Sequence, residues 1–414
     1  MKKFFILSVT LAMNYIAASA FEGKAEVNGI NYYIITKGAV AEVISKTSGY
    51  EGDVVIPSTI EYDGVTCTVN SIGNNAFLYE SKLNSVTIPK TVTKIGTGAF
   101  THCANLKTVN IPSSVTTIGA QAFLRCDGLE TVKTDDIESW CKMEIGNDAS
   151  PLPYTQDFIV GGQKVVDLVI PATVTSICSR AFHGYKGLKT ISINNSVTSI
   201  GDYAFYQCTG LTSAILPNSI TSIGVDAFYE CTALGNLVLP DGLKKIPTRC
   251  FMGCGSLTSL VIPNSVELIE LNAFKDCKNI KTIRIGNGLK ELGLGVFNNC
   301  SELTDIYCWA DTPPIVQGYH NPYSMPFYGS HVEYASLHVP ESSISNYQAS
   351  DVWNGFGHII ALTSDDTGIE LMKDGNISTE RIHYNINGQT LNRKSRGVNI
   401  IKMSDGTTKK VLVK

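Results

Sequence analysis

Most of the 414-residue chain is built from variants of one unit, Leu106-Lys-Thr-Val-Asn-Ile-Pro-Ser-Ser-Val-Thr-Thr-Ile-Gly-Ala-Gln-Ala-Phe-Leu-Arg-Cys126. Its phenylalanine is the clearest marker of the repeat. The marker recurs as Phe77, Phe100, Phe123, Phe182, Phe205, Phe228, Phe251, Phe274 and Phe297. Successive markers are 23 residues apart, except for an interval of 59 residues between Phe123 and Phe182. A constant period of this size is typical of a solenoid, in which each repeat forms one coil.

Within one repeat, residue types predict strands separated by turns. Nine and eleven residues after each marker come apolar residues such as Val109 and Ile111, and this spacing predicts a strand with one buried face. Pro112 follows at once and ends the strand, because it has no N–H to donate. The Val-Thr-Thr-Ile segment predicts a second short strand, and Ala-Phe-x-x-Cys predicts a short helical or 3₁₀ corner. Since one coil cannot bury its own face, we expect coils to stack about 4.8 Å apart around a shared core.

These features predict a mainly β repeat solenoid with a small β module after it. The predicted parts are a signal peptide at 1–20, an N-terminal β coil at 21–70, the repeat solenoid at 71–308 with an enlarged coil at 134–167, a capping segment at 309–362, and a β tail at 363–414.

The repeat units resemble those of BspA-like leucine-rich repeat proteins. The resemblance covers about residues 30 to 360, with Gly29–Tyr33 similar to the first coil of such proteins and Ser336–Pro340 similar to their closing segment. It implies a right-handed leucine-rich repeat solenoid. It also implies a secreted or surface protein of bacteria that colonise hosts, often an adhesin.

The repeat departs from its own pattern at a few places. Cys178, Pro247 and Glu270 stand where a Gly is regular, and Gly286 stands where a strand-ending Pro is regular. A solenoid tolerates such exchanges, but we expect irregular curvature near residues 240 to 300.

Composition and the first residues predict an exported protein. The chain is 43% hydrophobic, which excludes a disordered chain, and its net charge of −4 argues against nucleic-acid binding. Lys2 and Lys3 precede the apolar stretch Phe4–Ile16, and Ala18-Ser-Ala20 is a cleavage pattern. Together these predict a secretory signal peptide rather than a membrane anchor, because the apolar run is shorter than the ~20 residues that a spanning helix needs. We therefore expect a secreted or outer-membrane surface protein without a transmembrane segment.

The last 52 residues differ from the repeats. They hold nine basic and six acidic residues, and strand-like runs from Arg381, Val398 and Lys410 are separated by turns at Asn387-Gly388 and Asp405-Gly406. This pattern predicts a small β module. It resembles the C-terminal sorting domain of the Bacteroidetes type IX secretion system, which implies export across the outer membrane. The alternative is a β tail with no sorting role.

Cysteine usage also follows the repeat. Seven of the twelve cysteines stand three residues after a marker Phe. A fixed phase beside Ala-Phe predicts buried, free thiols rather than a disulfide framework. Any disulfide is expected among the four cysteines outside the repeat phases. These are Cys67, Cys141, Cys178 and Cys308.

No motif predicts catalysis or a bound cofactor. The seven histidines form no zinc motif, and the chain has no nucleophile elbow or phosphate-binding loop. We expect no enzyme activity, catalytic residue, metal or cofactor. The enlarged coil is either a binding loop or an irregular repeat whose Trp140 fills the core, and we favour the second interpretation.

The outward face of the main strand offers the candidate binding site. Residues eight and ten after each marker point away from the core and are mostly Ser, Thr and Asn. Three apolar residues interrupt this surface on successive coils, followed by an Arg and a Tyr. These candidate partner-binding residues are Ile215, Val238, Val261, Arg284 and Tyr307. They favour protein–protein binding or adhesion, to host matrix or other cells, whereas the alternative is a glycan-capturing or purely structural component. The stripe also has a simpler explanation, since β-branched ladders stabilise strands.

Overall fold

The structure is a computed structural model that describes residues 20–316, 318, 322–363 and 366. It also describes the backbone of four strands between residues 380 and 413. The predicted signal peptide lies outside the described residues, apart from residue 20, as do the predicted turns of the tail.

Each coil contributes one main strand on one side of the solenoid. The main strands are Gly52–Val55, Leu83–Thr87, Thr108–Ile111, Thr131–Thr134, Asp157–Val160, Asp167–Val169, Thr190–Ser192, Ser213–Ile215, Asn236–Val238, Ser259–Ile262, Thr282–Ile285, Asp305–Cys308, Ser336–Val339 and His358–Ala361. Most neighbours pair in parallel, and in the regular coils the partners are 23 residues apart, as Val109 and Val132 are. The repeat period is therefore the register of the sheet, as predicted.

A second series of strands follows the turn after each main strand. These short strands are Lys94–Ile95, Thr117–Ile118, Glu144–Ile145, Ser176–Ile177, Ser199–Ile200, Ser222–Ile223, Lys245–Ile246, Leu268–Ile269, Glu291–Leu292 and Ile315–Val316. They also pair in parallel. The N-terminal coil extends this series with longer strands, which are Glu22–Val27, Ile30–Ile35, Val40–Val43, Thr59–Tyr62 and Val65–Ile72.

The core between the two series contains a column of phenylalanine rings. Neighbouring marker rings stack with centroids 5.0 to 5.7 Å apart, and Phe327 extends the column past Phe297. In the enlarged coil, Trp140 packs on Phe158, which packs in turn on Tyr185. The Trp140 ring is fully buried and donates from Nε1 to the carbonyl of Ala181. Trp140 therefore fills the core, as the favoured interpretation predicted.

The corners of the described coils contain single turns with the i→i+3 hydrogen bonds of a 3₁₀ helix and no continuous helix. Each is a series of turns, as where Phe100 accepts at its carbonyl from the N–H of Cys103. The residue two positions after Phe100, His102, has a φ of 61°, and Gln121, two positions before Phe123, has a φ of 58°. A left-handed residue on each side of the marker interrupts any continuous helix, so these 3₁₀-type turns stay single. The left-handed geometry instead lets corner N–H groups donate to the next coil, as from Phe77 to Ala99.

The cysteine column lies beside the phenylalanine column and is built of free thiols. All twelve cysteines lie among the described residues and all are free, and the seven of the column are buried, which confirms the burial that the repeat phase predicted. In the column, each Sγ donates to the carbonyl of the Phe 26 residues earlier, at 2.9 Å for Cys103 and 3.1 Å for Cys126. The thiol therefore satisfies a buried carbonyl. Burial raises the pKa of Cys103 to about 12, so the column thiols stay protonated at neutral pH.

The main strands form three separate ladders in the described part of the chain. One ends in the hairpin of Asp157–Val160 with Gln163–Lys164, the second runs from Asp167–Val169 to Asn236–Val238, and the third begins at Ser259–Ile262. The short strands also form three ladders, with breaks between Glu144–Ile145 and Ser176–Ile177 and between Ser222–Ile223 and Lys245–Ile246. One main-strand break, between Val238 and Ser259, adjoins residues 240 to 300, where irregular curvature stays a prediction.

The solenoid is closed by irregular segments, and the chain ends in a small sheet. The helices are Ile137–Lys142 and Ile344–Gln348, and the 3₁₀ turns are Thr36–Gly38, Pro322–Ser324, Val332–Tyr334 and Glu341–Ser343. Buried Tyr347 and Trp353 donate to the carbonyls of Ala310 and Pro314, both at 2.9 Å. The predicted C-terminal β module is an antiparallel sheet of four strands. These are Glu380–Asn385, Thr390–Leu391, Gly397–Met403 and Thr408–Val413.

Candidate functional site

The five predicted contact residues all lie on main strands at outward positions, but they belong to two ladders. Ile215 and Val238 are register partners at the end of the second ladder. Val261, Arg284 and Tyr307 are successive partners at the start of the third. The continuous stripe that the sequence suggested is therefore divided between Val238 and Val261.

The third ladder extends its outward positions beyond Tyr307. His338 is the register partner of Tyr307, and Ile360 is the partner of His338. Val261, Arg284, Tyr307, His338 and Ile360 thus form one line across five strands, which we call the outward row. Val261 and Ile360, at its two ends, are 41% and 43% exposed. The row is therefore an apolar–aromatic line with its ends open to solvent.

The centre of the outward row is a stack of three planar groups. The guanidinium carbon of Arg284 lies 4.5 Å from the centroid of the Tyr307 ring. The His338 ring lies 4.2 Å from the same ring, at an angle of 17°. Because these two residues come from strands on opposite sides of Tyr307, they cover both faces of its ring. The tyrosine therefore presents only its edge and its hydroxyl to a ligand.

Polar neighbours hold this stack in place. The Nε2 atom of His338 lies 3.2 Å from Oδ1 of Asp305, and Nη1 of Arg284 donates to the carbonyl of Asp366 at 3.4 Å. Burial raises the pKa of the Tyr307 hydroxyl, and the charges of Asp305 and Asp366 raise it further, while Arg284 opposes the rise. The Tyr307 hydroxyl therefore stays protonated at neutral pH and can donate a hydrogen bond.

Sequence reasoning missed His338 and Ile360. They follow Tyr307 by 31 and 53 residues, so the 23-residue period does not reach them. A local signal was present, because Leu337 and Val339 alternate with His338 as inward residues do, and Pro340 follows as in a regular repeat.

The described residues contain neither a metal-binding cluster nor a membrane-spanning helix. No group of three or more His, Cys, Asp or Glu side chains in them is placed to hold a metal ion. No helix in the same residues is both long enough and apolar enough to cross a bilayer.

Comparison with known proteins places the repeats in a family. A model described as the BspA type leucine rich repeat region matches in six copies, over residues 63–143, 159–278 and 221–318. A leucine-rich repeat protein from Bacteroides ovatus has a similar solved structure, with 21% identity, a TM-score of 0.55, and coverage of 81% of this chain and 90% of that one. A leucine rich cell surface protein from Faecalibacterium prausnitzii is 24% identical, with a TM-score of 0.48 and coverage of 86% and 98%. No curated protein matches the sequence.

Proposed function

The chain belongs to the BspA-type leucine-rich repeat family, and we propose that it is a secreted or cell-surface protein that binds other proteins through the outward row. The partners we propose are proteins of the host matrix or of other cells. Solenoids use their extended surfaces for binding, and a line across five strands offers such a surface.

The observation that carries the proposal is the stack at the centre of the outward row. Tyr and Arg are the residue types that dominate the energy of protein interfaces. Arg284 and Tyr307 are held in fixed orientations by their neighbours, so that a partner meets them already ordered. Ordering side chains in advance reduces the entropy that binding costs.

The same stack argues against glycan capture. Aromatic recognition of a sugar needs a free ring face, and both faces of the Tyr307 ring are covered by Arg284 and His338. A protein partner can use the ring edge, the hydroxyl and the exposed Val261 and Ile360 instead. The site therefore fits a protein better than a polysaccharide.

The proposal is tested by binding of the full secreted chain to a panel of matrix proteins and polysaccharides. Val261→Asp and Tyr307→Ala should each weaken binding to a captured protein by about tenfold or more. Ser192→Asp, at the same outward phase of the second ladder, is the matched control and should leave binding unchanged. Equal loss in all three variants, or in none, would remove the outward row as the site.

Val238→Asp tests whether the second ladder also contributes to binding. Since Val238 ends the second ladder, this variant should bind like the control if the outward row alone makes the contact. A loss of binding as large as that of Val261→Asp would instead show that residues of both ladders make the contact. Circular dichroism of each variant verifies that the fold is kept.

The proposed location of the protein rests on residues 1–20 and on the tail. We propose that residues 1–20 direct export and that residues 363–414 direct passage across the outer membrane as a type IX sorting module. Deleting residues 368–414 should leave the protein in the periplasm. Normal surface display without those residues would rule out the sorting role.

A further inference from the structure

Cys178 differs from the other eleven cysteines in its accessibility. It is partly exposed, whereas every other cysteine is buried, and all twelve belong to the described residues. The residue lines a shallow groove along the short strands, together with Ser199–Asp202, Ser222 and Gly224. A small reagent in solvent can therefore reach this thiol.

Cys178 stands at the phase where neighbouring coils have Gly, and this position sets the direction of its side chain. At Gly201 and Gly224, an added Cβ would lie 2.5 and 2.3 Å from the backbone nitrogens of Ser179 and Asp202 in the preceding coil. A side chain at this phase therefore points toward the preceding coil. For Cys178, the preceding coil is the enlarged one, so the side chain points toward that coil.

The backbone of the enlarged coil at this level is the C-terminal turn of the helix Ile137–Lys142. The N–H of Cys178 donates to the carbonyl of Cys141 at 2.9 Å. Because this hydrogen bond joins the backbones of the two cysteines, they are neighbours on adjacent coils, and a disulfide forms only between such close neighbours. Burial raises the pKa of Cys141 to about 12, and a charge on Cys178 adds to the rise.

We propose that Cys141 and Cys178 are a thiol pair that a low-molecular-weight disulfide oxidises to an intramolecular disulfide. The Cys178 thiolate attacks one sulfur of the reagent, which forms a mixed disulfide and releases one thiol. The Cys141 thiolate then attacks the Cys178 sulfur, which forms the protein disulfide and releases the second thiol. Two protein thiols lose two protons and two electrons, and the reagent is reduced to two thiols.

The disulfide would link two successive coils whose short strands are not paired. Glu144–Ile145 and Ser176–Ile177 are not paired with each other, although both coils are fully described there. The backbone bond from Cys178 to Cys141 joins these two coils. A covalent bond at the same place would hold the helix of the enlarged coil to the next coil and close a long loop, which stabilises a fold by restricting its unfolded state.

Accessibility distinguishes this pair from the cysteine column. Column thiols are also stacked coil on coil, but they are buried and donate to Phe carbonyls, as Cys208 does to Phe182. No reagent reaches them in the folded state, so the first attack is confined to Cys178. Burial and Glu144 raise the pKa of Cys178, so oxidation should be slow at neutral pH and accelerate as the pH rises and the thiolate forms.

The test is incubation of the folded full chain with oxidised glutathione, followed by alkylation of free thiols, digestion and mass spectrometry. We expect a peptide cross-linked between Cys141 and Cys178, with the other ten cysteines alkylated after denaturation. The oxidised protein should melt at a higher temperature, and dithiothreitol should reverse the shift. Glutathione retained on Cys178 without a cross-link, a cross-link within the column, or an unmodified Cys178 would each overturn the proposal.

Two variants resolve the order of attack. Cys141→Ser should stop at the stable mixed disulfide on Cys178, whereas Cys178→Ser should leave Cys141 unmodified. A cross-link to Cys141 in the second variant would contradict the assigned roles. The cross-link is mapped in the wild-type protein without the variants, so the test holds even if a variant folds poorly.

Discussion

At the scale of single residues, the corner between two coils contains a buried charge. The side chain of Asp226 is 1% exposed, and Nε and Nη2 of Arg249 donate to its two oxygens at 2.8 and 2.6 Å. The 23-residue register places the two residues side by side, so their pairing could be predicted from the sequence. The burial of Asp226 could not, because it depends on the left-handed corner, where Asp226 has a φ of 57°.

Removing one partner of this pair should be costly. Arg249→Ala leaves a buried carboxylate without its two donors, and we expect a loss of about 3 kcal/mol in the free energy of unfolding. Lys82→Ala is the control, because Lys82 and Glu51 form an exposed pair, with side chains 77% and 71% exposed, and such pairs contribute about 0 to 1 kcal/mol. Urea unfolding of both variants measures the difference. Equal losses would show that Asp226 is solvated in solution.

At the scale of elements, the regular Gly after each short strand is required by close approach between coils. An added Cβ at Gly119 would lie 2.5 Å from the nitrogen of Thr97. Glu270 stands at the same phase and shows how a larger residue is accommodated in place of Gly. Its carboxylate accepts a hydrogen bond from the N–H of Thr248 in the preceding coil at 3.0 Å. The sequence identified the phase, but only the three-dimensional contact explains it.

Gly119→Ala should therefore destabilise the protein, by about 1 to 3 kcal/mol, because the neighbouring backbone must move. Gly242→Ala is the matched control. A Cβ there would meet its nearest neighbour, the carbonyl oxygen of Asn218, at 3.4 Å, so we expect little change or a slight gain from the restricted unfolded chain. Thermal melts of both variants decide the point. The account of the Gly phase fails if the two alanines have the same effect.

Strands could be predicted more fully than corners or ladder breaks. Alternation of Val109 and Ile111 with polar residues depends only on which face is buried, so the main strands lie where the pattern placed them. Corner conformation depends on hydrogen bonds to the next coil, as from Phe77 to Ala99. The breaks depend on how adjacent coils fit together, which no single repeat encodes.

At the scale of the whole molecule, the solenoid is a one-dimensional stack in which each coil contacts its neighbours. One entire coil can therefore be removed if the phase is kept. Deleting residues 197–219 joins Ser196 to Ile220 at the same phase and brings the strand Asn236–Val238 to the position of Ser213–Ile215.

The in-phase deletion should give a folded, cooperative and shorter protein. A deletion of residues 197–208 removes fewer residues but also removes Phe205 and Cys208 and leaves Phe182 and Phe228 out of the 23-residue phase, so it should lose cooperative unfolding. Circular dichroism melts and hydrodynamic size compare the two proteins. If the longer deletion is as disruptive as the shorter one, the coils are not interchangeable units.

The candidate site was predictable only where it follows the period. Val261, Arg284 and Tyr307 follow from the outward phase, whereas His338 and Ile360 join them through the irregular closing segment. The closing segment places His338 on the Tyr307 ring and so completes the stack. The stack is what favours a protein partner over a glycan.

Hydrogen–deuterium exchange of the full chain, free and bound to a captured protein partner, tests the central claim most directly. The outward row predicts new protection in the third ladder, in Ser259–Ile262, Thr282–Ile285, Asp305–Cys308 and Ser336–Val339. The second ladder, including Thr190–Ser192, should be unchanged. Protection confined to the corners or to the groove along the short strands would contradict the claim that this protein binds through the outward row.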